Sequence, residues 1–353
     1  MTPRWLLPAF MLAATIAGCT GPGPASPTSL PAIPDVGSAP VDPAAIVIAD
    51  EPWTFESKDG RLLRTPSYKV YTTVTKPQLV DRIPIFLERC LIHYTSALGE
   101  LPSPPSPMET YLLATRPQWE RQTQRIMGSD ADVYLRIQRG GFASGGKAVL
   151  YDIGPRDTFA ITAHEGWHQY TQRTFRSPLP VALEEGIATY MEGFRWSQQS
   201  ADAPRFLPWA NFERFEQLRR DTAAGRLVPL AVLQQSTPQE IIAENPDRAL
   251  TYYAQVWALI HFLNEADEGK YAPALRSMLR DAAEGQLIPK VRAAHGGRAA
   301  SALLTRRTGV DVIGLYTGHS ADSLEESYRA FIDRVVRVGS RQRIAAGESP
   351  LGQ

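Results

Sequence analysis

The sequence predicts an α+β fold, and three observations carry that prediction. Before about residue 156, short β-like runs alternate with turns; beyond it, apolar residues recur at helical spacing. At the junction, residues 164–168 read His-Glu-Gly-Trp-His. On a helix this spacing sets two imidazoles on one face, one turn apart. The expected layout is a mixed α/β subdomain over 51–155, a mainly helical subdomain over 156–337, and the histidine-bearing helix between them.

The first segment is read apart from the fold. Arg4 supplies a minimal positive region, and Trp5 to Ala17 is an apolar stretch of about thirteen residues. A bilayer span needs about twenty, so residues 1–18 read as a secretory signal. The stretch ends Ile16-Ala17-Gly18-Cys19, which resembles the lipobox of bacterial lipoprotein precursors. That resemblance implies cleavage before Cys19 and acylation of its thiol and new amino group; an ordinary signal peptide with an incidental cysteine is the other reading. Thr20 after the cysteine would suit outer-membrane sorting in a Gram-negative cell. The expected location is therefore the cell envelope, with the membrane as a partner through the lipid. Residues 19–50 are rich in Pro, Gly, Ser and Ala and read as a semi-extended tether.

Within the body, Tyr68–Val74, Thr110–Ala114 and Ala148–Tyr151 read as strands. A helix is expected from Pro77 to Leu98. Asp157 can cap a helix running to about Thr174, which carries the two histidines. Pro180 suits the first turn of the next helix and Gly193 its end. Further helices are expected over 208–224, 237–244, 247–266, 271–283 and 321–337, and a frayed tail over 338–353. Cys90, the second of two cysteines, lies in an apolar run and reads as a buried structural thiol.

The chain has 353 residues, 43% of them apolar, with 37 basic side chains against 37 acidic. That suffices for a sizeable core, and the balanced charge argues against nucleic acid or a polybasic membrane surface as a partner. The absence of a Gly-x-Ser-x-Gly elbow argues against serine-nucleophile chemistry.

His164 and His168 together can grip one metal ion, and Glu165 beside the first can reach a water there. A catalytic zinc usually takes a third protein ligand. The best candidate is Glu185 in Leu183-Glu184-Glu185-Gly186-Ile187-Ala188, sixteen residues beyond His168, enough for one helix to end and a second to return. His261, in an apolar helix, and His295, before Gly-Gly, are poorer candidates. Glu192 lies seven residues beyond Glu185 and nearly on the same helical face. It reads either as a group orienting a zinc histidine or as a surface carboxylate. Gly140-Gly141-Phe142 precedes the strand at 147–151; it reads as an edge strand that a substrate backbone can approach closely, or as a plain hairpin turn.

His164-Glu165-x-x-His168 followed by Leu183-x-Glu185-Gly186-x-Ala188 resembles the gluzincin clan of zinc metallopeptidases. The interval departs from the better-known aminopeptidases of that clan, where it is about two residues longer, and Ala182 stands where they usually carry tryptophan. The likeness is closer to poorly characterised peptidase-MA-like families. It implies a zincin-like fold, one zinc ion held by His164, His168 and Glu185, and Glu165 as general base. It also implies that Tyr253, within Tyr252-Tyr253-Ala254-Gln255-Val256-Trp257, donates to the oxyanion. Packing alone is the other reading of these two tyrosines, and which of them faces the zinc is open. The expectation is a zinc metallopeptidase of the cell envelope acting on peptide or protein substrates. Its competitors are a zinc-binding lipoprotein that acts through partner binding, and a zinc hydrolase of a non-peptide amide.

Overall fold

The computed structural model describes residues 46–196, 203–238, 240–241 and 248–352. Cys19, the signal segment and most of the tether lie outside the described residues, as does part of the helix expected over 237–244. Among the described residues no helix is long and apolar enough to cross a membrane.

The structure is mixed α+β. Strands β1 (Ala49–Phe55), β2 (Lys58–Arg64), β3 (Tyr68–Thr72), β4 (Met108–Leu113), β5 (Gly141–Ser144) and β6 (Lys147–Tyr151) form one sheet in the order β1-β2-β3-β4-β6-β5. The two inner pairings, β3 with β4 and β4 with β6, are parallel, and the others are antiparallel. Parallel neighbours need crossovers. These are α1 (Ile83–Ser96), between β3 and β4, and α2 (Arg116–Met127), between β4 and β5. The strands β1 and β2 have no counterpart among the sequence expectations, whereas β5 falls where Gly140-Gly141-Phe142 reads as an edge strand. The single helix expected from Pro77 is broken after Val80, and α1 begins at Ile83 with Pro84 in its first turn.

Against the sheet lies α3 (Pro155–Thr174), the helix of the two histidines. It starts two residues before the expected cap: Gly154 is the N-cap, while Asp157 sits in the first turn and pairs with Arg139 at 3.0 Å. Every residue from Ile161 to Thr171 is buried, so α3 has no solvent face over its central turns. Two glutamines fasten it to the sheet. Gln169 Nε2 donates to the carbonyls of Glu109 and Gly146, at 2.7 and 3.1 Å. Gln172 Nε2 donates to the carbonyl of Ala143 at 3.1 Å, and its Oε1 accepts the Gly146 amide at 3.0 Å. On the other side, Tyr94 of α1 donates to the Ala163 carbonyl at 2.8 Å. A Cβ on Gly166 would stand 2.5 Å from that Tyr94 hydroxyl, so this glycine makes room for the contact.

The helical half follows. Helix α4 (Val181–Met191) packs on α3, and the small hairpin β7 (Phe194–Trp196) with β8 (Pro204–Phe206) sets Phe194 and Trp196 against Phe159; α5 (Phe212–Ala223) and α6 (Arg248–Glu265) pack on each other, and α6 packs on α4. Then come α7 (Ala272–Glu284), α8 (Leu287–Thr305), α9 (Ala321–Val336) and α10 (Ser340–Ala346). Helix α8 is a correction: it contains exposed His295, and the expected Gly-Gly loop survives only as a break at Gly296, φ 81°. Helix α10 is another, since the expected tail buries Ile344, and its Ala345 carbonyl accepts from Arg195 at 3.0 Å. Cys90 is buried, as its apolar setting suggested, and burial pushes its thiol well above the ordinary range.

Helices α4 and α6 meet backbone to backbone. A Cβ on Gly186 would lie 2.7 Å from the Val256 carbonyl oxygen and 2.9 Å from an Ile260 carbon. Gly186→Ala should therefore destabilise the protein by about 1–3 kcal/mol, because a carbonyl cannot rotate aside. Denaturant unfolding of the variant checks this, and a midpoint equal to that of the wild type would rule out the close approach.

His93 of α1 stacks on Phe206, and its Nε2 is enclosed without a hydrogen-bond partner among the described residues. Burial lowers it from 6.5 to about 4. The folded protein thus keeps His93 neutral where the unfolded chain binds a proton. Its contribution is intact above pH 6.5 and is lost as pH falls towards 4. His93→Phe should flatten that part of the stability profile, measured as unfolding midpoints between pH 7 and 4.5.

Candidate metal centre

The folding of α3 and α4 brings three ligand-bearing side chains together. His164 and His168 stand one turn apart on α3, and Glu185 enters from the second turn of α4, after the chain has reversed through Phe175–Pro180. The two Nε2 atoms are 3.3 Å apart, and Glu185 Oε2 lies 3.5 Å from the first and 3.6 Å from the second. One ligand atom from each residue lies within 4.8 Å of the others, and all three residues are buried. Glu185 Oε2 makes no hydrogen bond among the described residues. Three buried lone pairs converging on one point, one of them otherwise orphaned, fit a metal ion.

Each imidazole is oriented from behind. Glu192 Oε1 lies 2.8 Å from His164 Nδ1, and Glu184 Oε1 lies 3.0 Å from His168 Nδ1. In both cases Nδ1–H donates to a carboxylate, which leaves the Nε2 lone pair facing Glu185. Each carboxylate is itself held. Glu192 accepts from Arg214 at 3.1 Å and from Asn211 at 2.6 Å. Glu184 accepts from Thr171 at 2.7 Å and pairs with Arg307 at 3.4 Å. Two parallel chains, arginine to glutamate to histidine, thus converge on the cluster.

The electrostatics follow from this enclosure. Burial works against charge on both imidazoles, but the adjoining carboxylates outweigh it and hold His164 and His168 above their usual range. For Glu185, burial is outweighed by the same histidines, which hold its carboxyl well below the ordinary value. Glu165 behaves oppositely. Burial raises its carboxyl, against the neighbouring histidines, which favour the ionised form. Neither Glu165 oxygen makes a hydrogen bond among the described residues. A buried carboxylate without partners is costly unless the site uses it.

Of the two tyrosines, Tyr253 is the one against the cluster. Its ring centroid is 6.3 Å from that of His164, and the Arg214 guanidinium lies 5.3 Å over its face. Burial first, and Glu185 second, push its phenol far above the ordinary value, so it remains a donor. Tyr252 points its hydroxyl to the Ser236 carbonyl, 3.5 Å away. His261 is placed elsewhere, bonded to Glu265 at 2.8 Å and stacked on Trp209.

Gly140-Gly141-Phe142 leads into β5, which is the outermost strand on its side of the sheet. The glycine at 141 serves the sheet itself, however: a Cβ there would stand 2.4 Å from the Leu150 side chain. Phe142 is core, packed against Trp119 and Tyr134, and the Ala143 carbonyl is already taken by Gln172. Glu184, Asn211, Arg214 and Arg307 went unmarked in the sequence. Glu184 is adjacent to the ligand and chemically identical to it, and the others lie far along the chain with no spacing signal. A comparison with protein families and with curated proteins found no match for this chain.

The two arginine-backed carboxylates should tune metal affinity. Glu184→Gln and Glu192→Gln, which keep an acceptor but remove the charge, should each weaken the affinity for a titrated divalent metal ion by about 10–100-fold. Glu192→Ala should in addition leave Arg214 buried without its partner and cost about 3–5 kcal/mol of stability. Chelator competition measures the first and chemical unfolding the second; unchanged metal affinity in both glutamine variants would remove the orienting role.

Proposed function

We propose that this chain is a zinc-dependent peptidase with a zincin-like arrangement, built around His164, His168 and Glu185. The observation that supports this most directly is the buried convergence of those three ligands beside Glu165, whose carboxylate oxygens lack hydrogen-bond partners among the described residues. The resemblance to the gluzincin clan stated above agrees with it. A zinc ion bound there supplies Lewis acidity that activates water and polarises a carbonyl.

The protein's own groups then divide the remaining work. Glu165 takes a proton from the attacking water, a role suited to a carboxyl whose burial has raised its proton affinity. The same carboxyl passes that proton to the departing amine. Tyr253, held protonated by burial, donates a hydrogen bond to the carbonyl oxygen as negative charge grows on it. Glu184 and Glu192 keep both imidazoles in the tautomer that binds metal. The proposed setting is the cell envelope, with the chain anchored through Cys19 and the tether holding the folded part off the membrane.

Glu165→Gln should abolish peptide cleavage while zinc stays bound, since the general base contributes about 10²–10⁴-fold. Glu185→Ala should lose the metal, and Tyr253→Phe should lower kcat by about 10²–10³-fold at unchanged zinc content. Peptide-library digestion read by mass spectrometry, with zinc quantified for each protein, checks all three. Cleavage that persists in Glu165→Gln would sink the mechanism.

A further inference from the structure

A cleft of about 890 Å³ opens beside the metal centre. Its inner wall includes Ile161, one turn before His164 on α3, together with Glu192 and Arg214, the pair behind His164. The whole chain is charge-balanced, but this cleft is not: seven arginines line it against four carboxylates. Some of that charge is internally matched, as in the Arg139–Asp157 and Arg341–Glu216 pairs.

Four arginines are different. Among the described residues, no carboxylate lies within ion-pair distance of Arg82, Arg156, Arg195 or Arg220, the last of which is bonded to Gln217 at 2.6 Å. Arg82 lies 4.9 Å over the ring of Trp196. Arg195 donates to the carbonyls of Phe194, Ala210 and Ala345, which fix its guanidinium without cancelling its charge. Burial and the nearby Arg156 both work against that charge. The first turn of α3 also lines the cleft through Pro155, Arg156 and Asp157, and adds the positive end of a 20-residue helix. Cations gathered beside one another without counter-charges cost energy, and an anionic ligand removes that cost.

We propose that the cleft binds an acidic peptide segment of the substrate, with Arg82, Arg156 and Arg195 receiving its carboxylates. The volume suits a few residues of chain rather than one small anion. Trp196 and Phe212 offer apolar surface for the side-chain stems. Glu192 stands between the cleft and His164, on the Nδ1 side of the ring, so an acidic segment held there lies apart from the metal and extends the substrate's contacts beyond the reacting bond. This inference rests on the peptidase reading and adds the substrate class to it.

The test uses three labelled peptides of equal length, identical except for Glu, Gln or Lys at several positions. Binding is measured by fluorescence anisotropy on the zinc-loaded full chain carrying Glu165→Gln, and wild-type cleavage of the same peptides is followed in parallel. The Glu peptide should bind at least about tenfold more tightly than the Gln peptide, in line with charge-assisted guanidinium contacts. Adding Arg82→Glu or Arg156→Glu should erase that difference, with zinc content and circular dichroism confirming that each variant is folded. Equal affinity for all three peptides, or a preference that survives both reversals, would overturn the proposal. Cleavage of all three alike by the wild type would keep the peptidase and discard the acidic cleft. Selective binding of the Glu peptide with no cleavage of any would keep the cleft and discard the peptidase.

Discussion

Four glutamates and two histidines share one buried region at the junction of α3 and α4, and the enclosure of so much charge is the constraint around which the structure is arranged. An unpaired buried carboxylate costs several kcal/mol, about as much as the net stability of a small domain. The arrangement is bearable because every carboxylate but one has an answer. The two imidazoles answer Glu185, Arg214 answers Glu192, and Arg307 answers Glu184. Those arginines come from α5 and from the end of α8, so the helical half completes the cluster as well as covering it. Glu165 is the member left without a hydrogen-bonded partner, and the proposed chemistry assigns it the moving proton.

The ligands could be read from sequence because they obey local rules. A spacing of four places His164 and His168 on one helical face whatever surrounds them. Glu185 needs only one helical reversal, and Glu192 follows from the same helix. The charge partners obey no such rule: Arg214 is 22 residues from Glu192, and nothing in its neighbourhood marks it. The strands β1 and β2 escaped notice for a related reason. Residues of β1 alternate between half-buried and exposed, and β2 opens on the polar run Lys58-Asp59-Gly60-Arg61 before its buried Leu62 and Leu63, so the apolar signal of a strand is weak. Helix α8 was hidden by Gly296-Gly297, which usually ends a helix and here only interrupts one. Helix α10 has Ile344 as its single large apolar anchor, too little for a periodicity to show.

The cleft and the metal centre share a wall, and that wall is ionic. Glu192 faces His164 with one oxygen while Arg214, bonded to the same carboxylate, also lines the cleft and lies over the Tyr253 ring. Anything that changes the field in the cleft therefore acts one hydrogen bond away from an imidazole of the cluster. The proposed recognition and the proposed chemistry are in this way coupled through a single buried ion pair.

Arg307 has a further consequence, which concerns the order in which the chain is made. It is held in a left-handed backbone conformation, φ 59°, and reaches back 128 residues to donate to the Leu179 carbonyl at the start of α4. A growing polypeptide that stops short of it already contains His164, Glu165, His168 and Glu185, yet lacks the cation beside Glu184. Contacts so distant in sequence form late. The cluster thus reaches its balanced state only after Arg307 has been made and has folded back, so the proposed site stays unfinished while the segment between Leu179 and Arg307 is still unfolded.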